Sequence, residues 1–157
     1  MFYFINKDID FKLSGKLILK QWLNNLLTER GFSCGTINII FLSDEDLLKL
    51  NISSLGHNYY TDIITFDYTE DFNKKKLIAD LYISVDSVLK NSLLYEQPYP
   101  QRFESELCRV IVHGILHLIG ENDITKVQKQ KMRCSEDFEL AKLSKYFKEN
   151  KIVISYK

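Results

Sequence analysis

Residues 113–123 read His-Gly-Ile-Leu-His-Leu-Ile-Gly-Glu-Asn-Asp, and this stretch concentrates the side chains able to do chemistry. Two of the chain's three histidines, His113 and His117, stand four apart in an apolar run. On an α-helix that spacing advances about 400°, so both imidazoles leave one face about 6 Å apart along the axis. Two side chains so placed can grip one metal ion. Gly120 follows, where a glycine can take the left-handed conformation and end the helix. The chain can then turn back and offer Asp123 as a third ligand. Two nitrogens and one carboxylate oxygen, with a position left open, describe a catalytic rather than a structural zinc site. The competing reading is a pair of core histidines on a buried helix. The helix-ending glycine, the carboxylate and the cost of burying two unpartnered imidazoles favour the metal.

The residue after the first histidine narrows the chemistry. In the peptidase pattern HExxH a glutamate there takes a proton from the metal's water. Here the position is Gly114, which offers no base. A glycine costs roughly 1 kcal/mol in a helix interior relative to alanine. It makes sense where something approaches the backbone closely, a crossing strand or a substrate. A phosphodiester would still profit from a metal, because phosphoryl transfer needs positioning and charge neutralisation above all.

Composition bounds the rest. The 157 residues suit one domain with a substantial core, and 45% hydrophobic residues exclude a disordered chain. Lys+Arg and Asp+Glu both number 21, so no global field draws the protein to polyanions. Two local clusters stand out. Lys74-Lys75-Lys76 reads as a solvated turn, while Lys126, Lys129, Lys131 and Arg133 lie on a helix that also carries Glu136, Asp137 and Glu139. Cys34, Cys108 and Cys134 are odd in number without CxxC spacing, which predicts a reduced, cytoplasmic setting, with Cys108 a small core residue. No apolar run reaches the roughly 18 residues of a membrane span, and no signal peptide opens the chain.

The elements that must position the histidines follow from periodicity. Strands are expected at Phe2–Asn6, Thr36–Leu42, Ile63–Tyr68 and Ile78–Val85, the last two as a hairpin. Helices are expected at Leu17–Thr28, from a Ser43 N-cap to about Asn51, and from Asp86 to Tyr95, where Pro98 and Pro100 break the pattern. Two more are expected at Ser105–Ile119 and Thr125–Phe147. Strands early and helices late give an α+β fold, a small mixed sheet of about four strands covered by about five helices. The histidine helix would lie against that sheet.

With these elements in place, His113-Gly114-Ile115-Leu116-His117-Leu118-Ile119-Gly120 resembles the HGxLHLxG signature of the YbeY family. Those proteins are metal-dependent endoribonucleases tied to rRNA maturation and ribosome quality control. Thr61-Asp62-Ile63-Ile64-Thr65-Phe66 resembles the family's TDVLSF strand, and Ala79-Asp80-Leu81-Tyr82-Ile83-Ser84 its GDIxIS strand. Their order and separation agree, so the resemblance covers most of the chain. It implies one metalloprotein domain over 1–157, a single-strand-preferring endoribonuclease that hydrolyses phosphodiesters with metal-activated water. It further implies one Zn2+, or another divalent ion such as Mn2+, with single-stranded or ribosomal RNA and the ribosome or a small-subunit precursor as partners. The competing functions are a ribosome-assembly factor with a structural metal and a metallohydrolase of another class, a peptidase or phosphoesterase.

Two departures from the family pattern matter. The family continues after the glycine as Tyr-Asp-His, whose histidine is the third ligand; Glu121, Asn122 and Asp123 stand here. A carboxylate in that role adds one negative charge, makes bound water less acidic and widens tolerance toward harder metals. The family also carries a Tyr-Arg pair before the first strand block, and Ser54 and Leu55 occupy those positions. Leucine cannot neutralise a phosphate. His57 is the nearest cationic candidate, against the reading of an exposed loop histidine, and Glu121 is a candidate proton shuttle. Asp62, at a strand start, can order the site loop through hydrogen bonds.

Overall fold

Apolar side chains in this chain recur at two periods, and both become regular structure in the computed structural model, which describes residues 1–71, 73, 75–96 and 99–157. The first half holds β1 (Phe2–Asn6), β2 (Phe11–Leu13), α1 (Lys16–Glu29), β3 (Ser33–Leu42) and α2 (Asp44–Leu55). The second holds β4 (Ile63–Asp67), β5 (Lys76–Ser84), α3 (Val85–Leu94), α4 (Arg102–Leu118), α5 (Lys126–Ala141), α6 (Ser144–Lys148) and β6 (Ile154–Tyr156). Lys74 of the lysine run and Pro98 lie outside the described residues.

The main sheet has the order β1-β3-β5-β4 and is mixed. β1 and β5 run parallel to β3, and β4 pairs antiparallel with β5 from Ile63 opposite Ile83 to Asp67 opposite Ala79, the expected hairpin. Period-2 alternation sends Ile37, Ile39 and Phe41 of β3, with Leu77, Ala79, Leu81 and Ile83 of β5, into the large core. Leu19, Leu23, Leu26 and Leu27 of α1 fill that core from one side, and Leu107, Ile111 and Ile115 of α4 from another. The opposite face of the sheet carries a small cluster of Leu42, Leu47 and Ile64 beneath α2. Each large apolar side chain so buried contributes roughly 1.5–3 kcal/mol relative to exposure.

α4 is buried along most of its length, its polar Ser105, Glu106 and Arg109 included. It crosses the sheet at Gly114. A Cβ on that glycine would stand 2.7 Å from Ile63 Cδ1 and 2.8 Å from Leu81 Cδ2. The crossing strands β4 and β5 therefore account for the missing side chain, and the helix lies against the sheet as expected.

Most boundaries shift by one to four residues from those expected, and three differences are informative. The expected helix Thr125–Phe147 is two helices, α5 and α6, separated at Lys142–Leu143. Lys142 and Leu143 close i→i−3 bonds onto Glu139 and Leu140, a tightened turn that brings Leu140, Leu143 and Phe147 into one core. The helices accordingly number six among the described residues rather than about five. β5 ends at Ser84, one residue early, because the Ser84 hydroxyl accepts from the Ser87 amide and caps α3. β2 and β6 form a two-stranded antiparallel sheet, with Phe11 opposite Tyr156 and Leu13 opposite Ile154. Three-residue strands whose partners lie at opposite ends of the chain carry no local signal.

Candidate metal centre

The last turn of α4 sets the centre. His113 and His117 face each other on one side of the helix, with their Nε2 atoms 3.0 Å apart. Ile119 ends the helix and Gly120 follows at φ +98°. The Glu121 amide donates to the Leu116 carbonyl and the Gly120 amide to the His117 carbonyl, which together form a Schellman motif. Four residues later Thr125 opens α5 with a capping box, its hydroxyl accepting from the Gln128 amide while the Gln128 side chain accepts from the Thr125 amide. The connecting loop is thus fixed at both ends, and its Asp123 returns to the histidines. Asp123 Oδ2 lies 3.6 Å from His113 Nε2, and Oδ1 lies 3.6 Å from His117 Nε2.

The outer ring nitrogens explain the orientation. His113 Nδ1 donates to Glu136 Oε1 at 2.8 Å, and His117 Nδ1 donates to the Glu121 carbonyl oxygen at 2.9 Å. A carboxylate and a carbonyl only accept, so both protons belong on Nδ1. Both Nε2 lone pairs then converge on one point together with a carboxylate. With both rings neutral, three acceptors then face one another, and a cation satisfies all three at once. Donor atoms of a tetrahedral zinc with bonds of about 2.0–2.1 Å stand roughly 3.3 Å apart. The observed separations of 3.0 and 3.6 Å bracket that spacing, so the residues fit a divalent metal.

Behind His113 stands a buried charge network. Glu136 is 5% exposed, and its second oxygen accepts from Arg109 Nη1 at 3.0 Å. Arg109, 4% exposed, also donates through Nη2 to Asp137 at 2.7 Å. Burial works against the imidazolium of His113. The hydrogen bond to Glu136 and the charges of Glu136, Asp123 and Asp62 outweigh it and raise its pKa above the ordinary imidazole value. Asp62 faces the same cleft, where burial pushes its carboxyl above the usual carboxylate range and the charge of His113 partly offsets that. Its Oδ2 lies 3.4 Å from the donating Asn91 amide nitrogen.

Of the residues expected at the site, His113, His117 and Asp123 come together. Glu121 is adjacent but turned away: its carboxylate accepts from Arg30 Nη1 at 2.6 Å and from the Ser135 hydroxyl at 3.3 Å. What it gives the centre is its backbone carbonyl. His57 lies exposed after α2, stacked on Tyr59 with ring centroids 5.1 Å apart, and lines neither hollow that His113 lines. Glu136 and Arg109 were missed in the sequence, although each left a signal. Arg109 interrupts the apolar run of α4, and Glu136 falls on the buried stripe of α5 with Met132 and Leu140. A charge in such a position requires a partner.

Fold and centre together define an α+β protein whose longest helix and following loop bring a metal-type donor set to the floor of an open cleft. The family model described as Endoribonuclease YbeY matches residues 4–144. A Cytophaga hutchinsonii protein named Endoribonuclease YbeY is 40% identical over 139 residues, covering 88% of this chain and 93% of the relative. A Phocaeicola vulgatus protein of the same name is 43% identical over 123 residues, covering 78% and 84% respectively. The solution structure of TM1509 from Thermotoga maritima shares the fold, with a TM-score of 0.57 at 23% identity over 90% of this chain and 91% of that one. The chain belongs to the YbeY family. Among the described residues no helix is long and apolar enough to cross a membrane.

Proposed function

We propose that the chain is a single-domain, metal-dependent endoribonuclease that cuts single-stranded RNA and serves rRNA maturation and ribosome quality control. The observation that carries this reading is the convergence of His113 Nε2, His117 Nε2 and an Asp123 oxygen beside a cleft, in a chain of this family. A divalent ion held there, zinc or a harder ion such as manganese, would acidify a water and neutralise charge on a phosphodiester. The two imidazoles serve as neutral ligands because Glu136 and the Glu121 carbonyl hold their protons on Nδ1. Asp123 contributes one negative charge, and the rest of the coordination stays open toward the cleft.

Asp62 is the residue we place nearest the reacting phosphate. It lines both hollows that flank His113 and is turned toward them from the start of β4, where its carboxylate can hold or pass a proton. Gly114 sits under β4 and β5, so the base of an HExxH peptidase has no place here. Metal content and cleavage of single-stranded and structured RNA, measured together on wild type and Asp123→Asn, test the reading. The expected result is RNA cleavage by the metal-loaded wild type and loss of both metal and cleavage in the variant. Full occupancy and activity in Asp123→Asn would remove Asp123 from the ligand set. A metal-loaded wild type that associates with ribosomes but cuts no RNA would leave an assembly factor with a structural metal.

A further inference from the structure

The cleft extends well beyond the donor set. A hollow of about 410 Å³ lies on one side of His113, lined by Thr61, Thr65 and Asp67. A second of about 370 Å³ lies on the other side, and Asp62, Ile63 and His113 border both. The second opens into a third of about 690 Å³, with Tyr95, Arg109 and Arg133 shared between them. Through these shared lining residues the three hollows adjoin in series as one trough, with His113 at the junction of the first two rather than at an end. An enzyme that cuts within a strand needs such a trough, since nucleotides must continue on both sides of the scissile bond.

The far arm of that trough is lined by both a cation and an aromatic, Arg133 and Tyr95. Arg109 is already committed, its two terminal nitrogens held by Glu136 and Asp137. Arg133 is different. Its side chain is 50% exposed, and it lies only 3.7 Å from Glu136 and 4.0 Å from Asp137, carboxylates that Arg109 satisfies at shorter range. It reaches the cleft from α5 one carboxylate away from His113. Tyr95, just past α3, is 58% exposed and lines the same space. Tyr99 behind it is packed on Phe147, with centroids 5.1 Å apart.

The geometry points to a nucleotide subsite beside the centre, in which Arg133 binds the phosphate next to the scissile one and Tyr95 stacks the base of that nucleotide. Guanidinium–phosphate pairing carries the backbone contact, and a ring face accepts any unpaired base without reading its edge. A base inside a duplex is already stacked and cannot reach Tyr95, so the subsite selects single strands. The assignment rests on the RNA reading of the centre and adds to it the residues that hold the substrate.

The test is binding of a short fluorescein-labelled single-stranded oligoribonucleotide with cleavage-resistant phosphorothioate linkages, followed by anisotropy over a salt series on the metal-loaded protein. Arg133→Ala is expected to weaken binding about tenfold and to lower the salt slope by about 0.7, while Arg133→Lys keeps the slope. Tyr95→Ala is expected to weaken binding about tenfold with the slope unchanged, and Tyr95→Phe to bind as wild type. Metal content should equal wild type in all four variants. Unchanged affinity and slope in both alanine variants, with a wild type that binds and cuts RNA, would overturn the subsite alone. Loss of metal in Arg133→Ala would place that residue in the support of the centre and overturn its phosphate role. A wild type that neither binds nor cuts RNA would overturn the proposed function itself.

Discussion

His113 and His117 share a helix face and converge on one point, yet they are held by opposite means. His117 is oriented by a backbone carbonyl, that of Glu121, which the Schellman turn at Gly120 places regardless of the side chain it bears. His113 is oriented by a side chain on another helix, Glu136, which is buried and held in turn by Arg109. The first arrangement is local, within four residues. The second spans 23 residues of sequence and depends on α4 and α5 packing together. One half of the centre therefore survives most changes of its supporting residue, and the other half does not.

The largest expected effect comes from removing one of the proposed ligands. His117→Ala is expected to abolish metal retention and lower RNA cleavage by at least about a hundredfold, with the far-UV circular dichroism of the fold retained; metal analysis after dialysis checks it. Next comes the ionic support of the other histidine. Glu136→Ala leaves Arg109 short of a buried partner and is expected to cost about 3 kcal/mol in denaturant unfolding. The same change should weaken metal binding roughly 10–100-fold. Thr125→Ala loosens the capping box that closes the ligand loop, for a loss of about 1 kcal/mol and a small drop in metal affinity by chelator competition. Glu121→Ala is expected to be the mildest. It loses a partly buried ion pair with Arg30, but its carbonyl continues to orient His117, so metal affinity stays near wild type. Equal losses of metal affinity in Glu121→Ala and Glu136→Ala would erase the distinction between the two supports.

Proton titration of the metal-free protein sharpens the same contrast. The pKa of His113 is raised above the ordinary 6.5, with burial opposing and Glu136 prevailing. A folded-state pKa above the unfolded value contributes stability that is complete below the unfolded pKa and is lost as pH rises through the folded one. Proton NMR of the imidazole resonances should show His113 titrating above 6.5 in wild type and lower in Glu136→Gln.

Much of this arrangement was written in local pattern. The two histidines four apart, Gly120 after them and Asp123 beyond predicted a three-donor centre, and the same residues converge in space. The helical period predicted α1, α3 and α4, the Ser43 cap predicted α2, and alternation predicted the β4–β5 hairpin; each is there within a few residues. Those features are legible because their energetics act over a turn of helix or a pair of neighbouring strands. The break between α5 and α6 was not legible, since Leu143 and Phe147 fit one continuous helical stripe as well as two. β2 and β6 were invisible for a different reason: each is three residues long, and its partner stands at the other end of the chain.

Local pattern alone carried the two histidines on one helix face, the aspartate on the loop after them, and Gly114 as a point where another element must pass. Packing of distant elements sets the rest: β4 and β5 are what pass there, Glu136 and Arg109 stand behind His113, and Glu121 faces Arg30. The same packing brings Arg133 of α5 and Tyr95, the residue after α3, to the lining of one hollow beside the centre. The reason is physical. Periodicity and capping act through bonds a few residues apart, whereas a charge pair buried between helices exists only once packing has removed the water from around it.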